Sequence, residues 1–362
     1  MELTCVILAA GLGTRMKSAK AKVLHTVGGL PMVHHVIRVA QEAGARRVIA
    51  VLGHQRAEVQ AAIEARFGQG SVEFVEQAEQ RGTGHAVMQA VPLLRGTQGG
   101  VLILSGDVPL MRASTIAELY RAYEKAGTLA FVTMRPSDPT GYGRVVRDSD
   151  GNVIRIVEHR DATPEQRAIR EVNAGVYCIR TDFLCAAIGS LTTANAQGEF
   201  YLTDLVEQAA SVSKVGTLEA SPDEVLGIND RVELARADRL YRLARFETFM
   251  RNGVTVRDPT TCYIEADVTL ERDADIGPCV VLGGKTRVEE GARIESHAVV
   301  RDTVVGRASH VGAHVVLVGS TLGRGVIVGP HAIVHKTTVE DEALIEPGAV
   351  LIGTRVSRKN PK

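Results

Sequence analysis

Arg15, Lys17, Lys20 and Lys22 crowd into eight residues around a glycine-bearing turn, Gly11-Leu12-Gly13-Thr14. Cations beside glycines suit an anion. Glycines let backbone N–H groups approach a phosphate closely, and the side chains neutralise it. Two familiar phosphate loops fail here at one position. A dinucleotide fingerprint needs glycine at 16, and so does a Walker A loop ending in Lys17-Ser18, but the residue is Met16. Charge is therefore a stronger signal than spacing, with a solvated basic turn as the plain alternative. A second glycine turn, Gln77-Ala78-Glu79-Gln80-Arg81-Gly82-Thr83-Gly84-His85, carries glutamines that offer donor and acceptor together, as a base edge requires. Its alternative is an ordinary strand–helix loop. In Ser105-Gly106-Asp107-Val108-Pro109 a carboxylate ends an apolar run, which suits Mg²⁺ facing a triphosphate, or else a helix-capping aspartate.

These turns need strands to end on and helices to follow. Leu3 to Ala10 is a continuous apolar run and reads as a buried parallel strand. Pro31 to Ala43 reads as a helix, with Pro31 in its first turn and Gly44 as its stop. Further strands are expected at Val48–Leu52, Val72–Val75, Val101–Leu104 and Leu129–Thr133, and helices at Ala57–Phe67, Gly84–Leu94 and Thr115–Ala126. That rhythm predicts an α/β, doubly wound, mostly parallel sheet, Rossmann-like in type. From Arg144 the pattern changes. Val145-Val146 and Val153–Val157 flank Asp148-Ser149-Asp150-Gly151-Asn152, a hairpin signal, and Asn173–Ile179 is another strand. An antiparallel insertion beside the parallel sheet is expected. Asp230–Met250 lacks Gly and Pro and reads as one linking helix.

The tail repeats. Ile264, Leu270, Ile276, Leu282, Val288, Ile294 and Val300 are spaced by six, and the series continues at Val305, Val311, Leu317, Leu322, Val328, Val334, Val339, Ile345 and Leu351 with trios offset by 17. Hexapeptide periods mean an all-β solenoid, a parallel β-helix of about five coils. The expected domains are 1–229, a linker helix 230–252, the β-helix 253–356 and a basic tail 357–362. His297, His314 and His331 recur every 17 residues, so their rings should stack at roughly strand spacing, about 4.8 Å.

Composition narrows the function classes. The 362 residues carry 42 Lys plus Arg against 42 Asp plus Glu, and a neutral chain argues against nucleic acid as partner. Five cysteines without a CxxC spacing indicate neither a disulfide framework nor a zinc ribbon. The apolar run at Cys5–Ala10 is too short for a membrane span or signal peptide, so a cytoplasmic protein without membrane association is expected.

Leu8-Ala9-Ala10-Gly11-Leu12-Gly13-Thr14-Arg15-Met16 followed by Lys22-Val23-Leu24-His25 resembles the sugar-nucleotide pyrophosphorylases. The glutamine turn from Gln77 narrows the likeness, as do Asp138-Pro139-Thr140-Gly141-Tyr142-Gly143-Arg144, Val157-Glu158-His159-Arg160-Asp161-Ala162 and Asn173-Ala174-Gly175. Asn195-Ala196-Gln197-Gly198-Glu199-Phe200-Tyr201-Leu202-Thr203-Asp204 and Gly227-Ile228-Asn229 complete it. Together they resemble the bacterial bifunctional N-acetylglucosamine-1-phosphate uridylyltransferase/glucosamine-1-phosphate acetyltransferase family over residues 1 to about 350.

The resemblance implies a nucleotidyltransferase sheet and a left-handed β-helix, in a form with a shortened C-terminal solenoid. It implies that Leu8, Ala9, Ala10, Gly11, Gln77, Gly82 and Thr83 hold the uridine, and that Arg15 and Lys22 hold the phosphates. Asp107 and Asn229 would bind Mg²⁺, while Gly143, Glu158 and Asn173 would hold the sugar. The substrates would be UTP and N-acetylglucosamine 1-phosphate, and the assembly a homotrimer. Ala21 stands where the family usually has proline, and Ser105 where some members carry tyrosine. These departures bear on whether Lys20 competes with Lys22 and on sugar choice. Beyond Val328-Gly329-Pro330-His331-Ala332 the sequence offers no Asn-Tyr pair of the kind the acetyl site uses, so acetyl transfer is expected to be absent. Transfer to another hexose 1-phosphate, a hexapeptide-repeat acyltransferase and a silent regulatory subunit are the alternatives.

Overall fold

The computed structural model describes residues 2–358; the basic tail from Lys359 onward lies outside the described residues. The chain forms two compact units, one of residues 1–25 and 31–237, the other of residues 26–30 and 238–362.

The first unit is built on a nine-stranded sheet. Along its main path the strands run Gly216–Glu219, Leu129–Met134, Val172–Arg180, Gly100–Ser105, Leu3–Ala9, Arg47–Leu52 and Glu73–Glu76. The inner strands read as unbroken aliphatic runs because helices cover both faces. Leu129–Met134 is buried throughout, and so is all but one residue of Leu3–Ala9. Around them lie the helices Met32–Glu42, Arg56–Phe67, Thr83–Leu94 and Ala113–Ala126. Gly127, in left-handed conformation at φ 80°, ends the last of these by donating its N–H to the Tyr123 carbonyl.

One expectation needs correction. The strand Val172–Arg180 does not lie beside the parallel sheet. It sits inside it, antiparallel to both Gly100–Ser105 and Leu129–Met134. Only the hairpin Arg144–Arg147 and Val153–Val157 hangs off the path, tied in through Val172 and Arg144. The register of Val172–Arg180 slips between Asn173 and Tyr177, where Gly175 takes φ 75°. Such a bulge re-aims the side chains next to it. The helices Thr181–Ala187 and Asp204–Val212 and the strand Gly216–Glu219 have no counterpart in the sequence reading. Each is short, and the helices lack flanking stop signals.

The second unit is a solenoid. Three six-stranded parallel sheets of two- and three-residue strands stack into six tiers, one more than the repeat count suggested. The additional strands are Thr255–Val256 and Arg355–Val356, at the two ends of the aliphatic series. The aliphatic residue of each hexapeptide points inward. Ile264, Ile276, Leu282, Val288, Val300, Val305, Val311, Leu317 and Val334 are each fully buried. Partners such as Ile294 and Val311, or Leu317 and Val334, pair across neighbouring tiers at 17 residues. Where the step shortens to five, a ladder of buried hydroxyls turns the corner. Ser320 N donates to Thr303 Oγ1 at 3.2 Å and Thr337 N to Ser320 Oγ at 3.2 Å. Residues 26–30 group with this unit, since Gly28 N donates to Asp238 Oδ1 and Gly28 O accepts from Ala266 N. The three histidines do stack, with ring centroids 4.8 and 4.9 Å apart. Each holds a left-handed corner, at φ 62°, 59° and 62°.

Candidate active site

The strand Leu3–Ala9 pairs with Gly100–Ser105 so that Leu8 faces Ser105. The turns following these two strands therefore open side by side at the carboxyl end of the sheet, the usual ligand edge of open α/β folds. Gly106 makes the approach possible. Its N–H donates to Leu8 O, and a Cβ there would stand 3.2 Å from both Ala9 Cβ and Leu8 O. Gly13 is required for a different reason. It adopts φ 61°, and a Cβ would fall 2.5 Å from Lys22 Cβ, so glycine lets the lysine fold back over the turn. Gly11 meets no such demand, since a Cβ there would touch nothing within 4 Å.

Four of the expected residues converge. Lys22 Nζ donates to Asp107 Oδ2 at 2.5 Å and to Asn229 Oδ1 at 3.0 Å. Arg15 Nη2 reaches the same Asn229 oxygen at 2.8 Å. Asn229 arrives from far along the chain because Ile228 N donates to Asp107 O at 3.0 Å. Lys17 and Lys20, the other cations of the cluster, are exposed and take no part in this group.

Two partners went unassigned in the sequence reading. Ser105 Oγ donates to Asp107 Oδ1 at 2.6 Å, which fixes the carboxylate so that Oδ2 faces Lys22. Glu233 Oε2 accepts from Asn229 N at 2.5 Å, while Asp230 Oδ1 accepts from Val232 N and Glu233 N. An Asp-x-x-Glu start to a helix is a capping pattern, so this second partner was readable from sequence.

The residues fit a divalent cation. One carboxylate oxygen and one amide oxygen already share a single cationic group, the Lys22 ammonium. Mg²⁺ needs few protein ligands, because water and substrate phosphates complete its octahedron. Among the described residues there is no cluster of three or more His, Cys, Asp or Glu side chains that could hold a metal ion by itself.

The glutamine turn closes over the same edge. Gln77 is buried, its N–H bonded to Leu52 O, and its amide nitrogen bonded to Gly82 O at 3.1 Å with His85 Nδ1 3.2 Å away. Gln80 donates to Ala10 O at 2.5 Å, joining this turn to the first. Gly82, at φ 103°, lies against the Phe200 carbonyl, where a Cβ would come within 2.6 Å. Thr83 Oγ1 accepts from Leu202 N.

The sugar-side residues also assemble. Asn173 N donates to Gly143 O at 2.9 Å, and Asn173 Nδ2 donates to Tyr177 Oη at 2.6 Å across the bulge. Glu158 accepts from Thr203 Oγ1 at 3.0 Å, and a Cβ on Gly143 would lie 3.4 Å from Glu158 Oε1. Burial pushes the Glu158 carboxyl up from its ordinary value, the Thr203 hydroxyl opposes this, and nearby Asp161 adds to the rise. Thr203 and Tyr177 were not foreseen as partners, since a lone hydroxyl carries no spacing signal. A cleft of about 560 Å³ lined by Thr14, Arg15, Gly141, Glu158, His159, Arg160 and Gln197 joins the phosphate-side and sugar-side groups.

Residues 5–178 match the family model of the MobA-like NTP transferase domain, and residues 259–361 that of the GMPPB C-terminal domain. The crystal structure of apo-UDP-glucose pyrophosphorylase has a TM-score of 0.55 at 18% identity, covering 68% of this chain and 100% of that one, a likeness of fold. The bifunctional protein GlmU of Anaeromyxobacter sp. (strain Fw109-5) is 48% identical over 303 residues, which is 84% of this chain and 62% of the relative. GlmU of Geotalea uraniireducens (strain Rf4) is 44% identical over 308 residues, 84% of this chain and 67% of its own. The chain thus spans about 62% of the length of the former. Sustained identity at this level across a nucleotidyltransferase-type sheet and a solenoid places the chain in the family of the bifunctional protein GlmU.

Proposed function

We propose that the chain transfers a uridylyl group from UTP to N-acetylglucosamine 1-phosphate, giving UDP-N-acetylglucosamine and pyrophosphate. The observation that carries this is the meeting of Arg15, Lys22, Asp107 and Asn229 at one strand edge, with Glu158 sharing a cleft with Arg15. The sugar phosphate is largely a dianion near neutral pH, with a second pKa of about 6. It needs no protein base. Its phosphate oxygen forms a bond to the α-phosphorus of UTP, the bond from that phosphorus to the β-phosphate oxygen breaks, and the electron pair leaves with pyrophosphate.

Arg15 and Lys22 hold the phosphates and offset the charge that gathers on the leaving group. Lys22 exchanges its present carboxylate partner for phosphate oxygens as the nucleotide enters. Asp107 and Asn229 hold Mg²⁺, which supplies charge neutralisation and orientation of the triphosphate. Gln77 Oε1 accepts from a base N–H, with the backbone of Leu8 to Gly11, Gly82 and Thr83 closing around the uridine. Asn173, Gly143 and Glu158 accept and position the sugar.

Assembly follows from the solenoid. Val281, Val299, Val316, Ile333 and Val350 lie in register on the outer side of one sheet, an aliphatic stripe along the tiers. Ile333, Val350 and Ile352 remain 43%, 61% and 67% exposed. Two further copies of the chain would cover this stripe in a homotrimer. Among the described residues no helix is long and apolar enough to cross a membrane. The deciding assay is pyrophosphate release with a panel of nucleoside triphosphates and sugar 1-phosphates. UTP with N-acetylglucosamine 1-phosphate should give the highest kcat/KM, and a preference for another pair would sink the reading.

A further inference from the structure

Arg144 is 1% exposed, and no carboxylate accepts from it. Its guanidinium donates instead to the carbonyls of Tyr142 and Arg167, and its Nη2 lies 3.3 Å from His159 Nδ1. A guanidinium has five donors and no acceptor. The contact with His159 therefore requires a lone pair on Nδ1, which leaves the ring proton on Nε2. Asp138 acts on the guanidinium electrostatically without accepting a hydrogen bond from it, so these three acceptors are what its buried donors are given. His159 is thus a fixed ring with one assigned tautomer.

The free end of that ring matters. His159 is half-buried and lines the 560 Å³ cleft that also holds Arg15 and Glu158. Among the described residues its Nε2 makes no hydrogen bond, and it is not one of the buried nitrogens left without a partner. Arg15 brings a cation to this cleft and Glu158 an acceptor, so a ring N–H donor completes the set that an oxygen-rich sugar phosphate would use.

We propose that His159 is a sugar-1-phosphate contact, donating its Nε2–H to an oxygen of that substrate, with Arg144 as the positioning residue that sets the tautomer. This rests on the uridylyl-transfer reading above and adds to it a residue that distinguishes the sugar phosphate from UTP. Removing one neutral donor should weaken the sugar phosphate by about five- to tenfold. His159→Ala should raise KM for N-acetylglucosamine 1-phosphate by that factor and leave KM for UTP within about twofold. His159→Gln, whose amide can donate from nearly the same place, should recover most of the loss.

A second measurement does not depend on turnover. In protein with ¹⁵N-labelled histidine at pH 8, the His159 ring should show a proton on Nε2 and a bare Nδ1, and adding N-acetylglucosamine 1-phosphate should shift the Nε2 signal. An Nδ1–H tautomer, or an unchanged sugar KM in His159→Ala, overturns the proposal while wild-type turnover stands. Wild-type protein that turns over no sugar 1-phosphate is a different result, one that removes the reaction itself and this contact with it.

Discussion

The Lys22 ammonium lies 2.5 Å from Asp107 Oδ2, so the cation that would bind substrate phosphate occupies the carboxylate that would bind metal. Both side chains are mostly withdrawn from solvent, at 13% and 18% exposed. Asp107→Asn keeps the shape but removes the charge and one acceptor: its amide oxygen can accept from Lys22 only if its NH2 turns to donate to the Ser105 hydroxyl. We expect kcat to fall by about 100-fold or more, in the range seen when a preorganised charge-stabilising group is lost. The thermal midpoint should move little, because the amide oxygen still accepts from Lys22 while the NH2 donates to the Ser105 hydroxyl. Steady-state turnover at saturating Mg²⁺ decides it, and normal turnover would remove Asp107 from the metal site.

Glu158 carries a stability consequence opposite to that of a salt-bridged carboxylate. Burial raises its folded pKa, so the native state keeps a proton that the unfolded chain has released. Native stability is then lost as pH climbs from about 4.5 towards the raised folded value. Glu158→Gln cannot ionise and escapes this loss. The variant should melt higher than wild type at pH 7.5 and alike at pH 4, while binding the sugar phosphate more weakly. Equal melting at both pH values would show that burial is not the dominant influence on this carboxyl.

Much of this was legible in the sequence, and the reasons differ by region. The solenoid announced itself because one inward aliphatic per hexapeptide leaves an arithmetic trace from Ile264 to Leu351. The cluster Arg15, Lys17, Lys20 and Lys22 was legible as charge beside glycines, but only the family resemblance singled out Arg15 and Lys22 from it. The insertion of Val172–Arg180 into the middle of the sheet was not. Its residues read as strand in either place, and pairing direction leaves no mark on a single strand. The Ser105–Asp107 bond was equally silent, since a hydroxyl two residues from a carboxylate is common and only the observed rotamers join them.

The aliphatic stripe predicts association through the solenoid. Ile333→Glu puts a charge in the stripe between Val316 and Val350. Desolvating an unpaired carboxylate at an interface is costly enough to split weak assemblies. Light scattering should report a trimer for wild type and a smaller species for the variant. A wild-type monomer across the concentration range would overturn the trimer.

The hydroxyl ladder makes a local prediction. Thr303 is fully buried; its Oγ1 donates to Arg301 O at 2.8 Å and accepts from Ser320 N at 3.2 Å. Thr303→Val has nearly the same shape and strands the Ser320 N–H without an acceptor. A buried donor left unpaired costs about 1–3 kcal/mol. Denaturant unfolding should show a loss of that size, and Thr303→Ser should keep most of the stability. If valine is as stable as threonine, the ladder is ornamental and packing alone turns the corner.

His34 sets an acid limit on the first unit. It lies in the helix Met32–Glu42, 5% exposed, with its ring edge-on to Phe67 at 5.4 Å. Neither ring nitrogen has a hydrogen-bond partner among the described residues. Burial first, then the nearby Arg66 and His35, bring its pKa from 6.5 down to about 4, against a smaller opposing influence of the Ala62 backbone. The sign is that of a base kept neutral by folding. Below about pH 6.5 the unfolded chain takes a proton that the native state refuses, so stability falls as pH drops from 6.5 towards 4. The shift corresponds to about 3 kcal/mol between neutral pH and the foot of that window. His34→Leu is apolar, cannot titrate and should flatten this part of the profile. Urea midpoints of both proteins at pH 7, 6, 5 and 4 test it. Equal slopes would mean that the ring is protonated in the folded protein and that a partner opens to receive it.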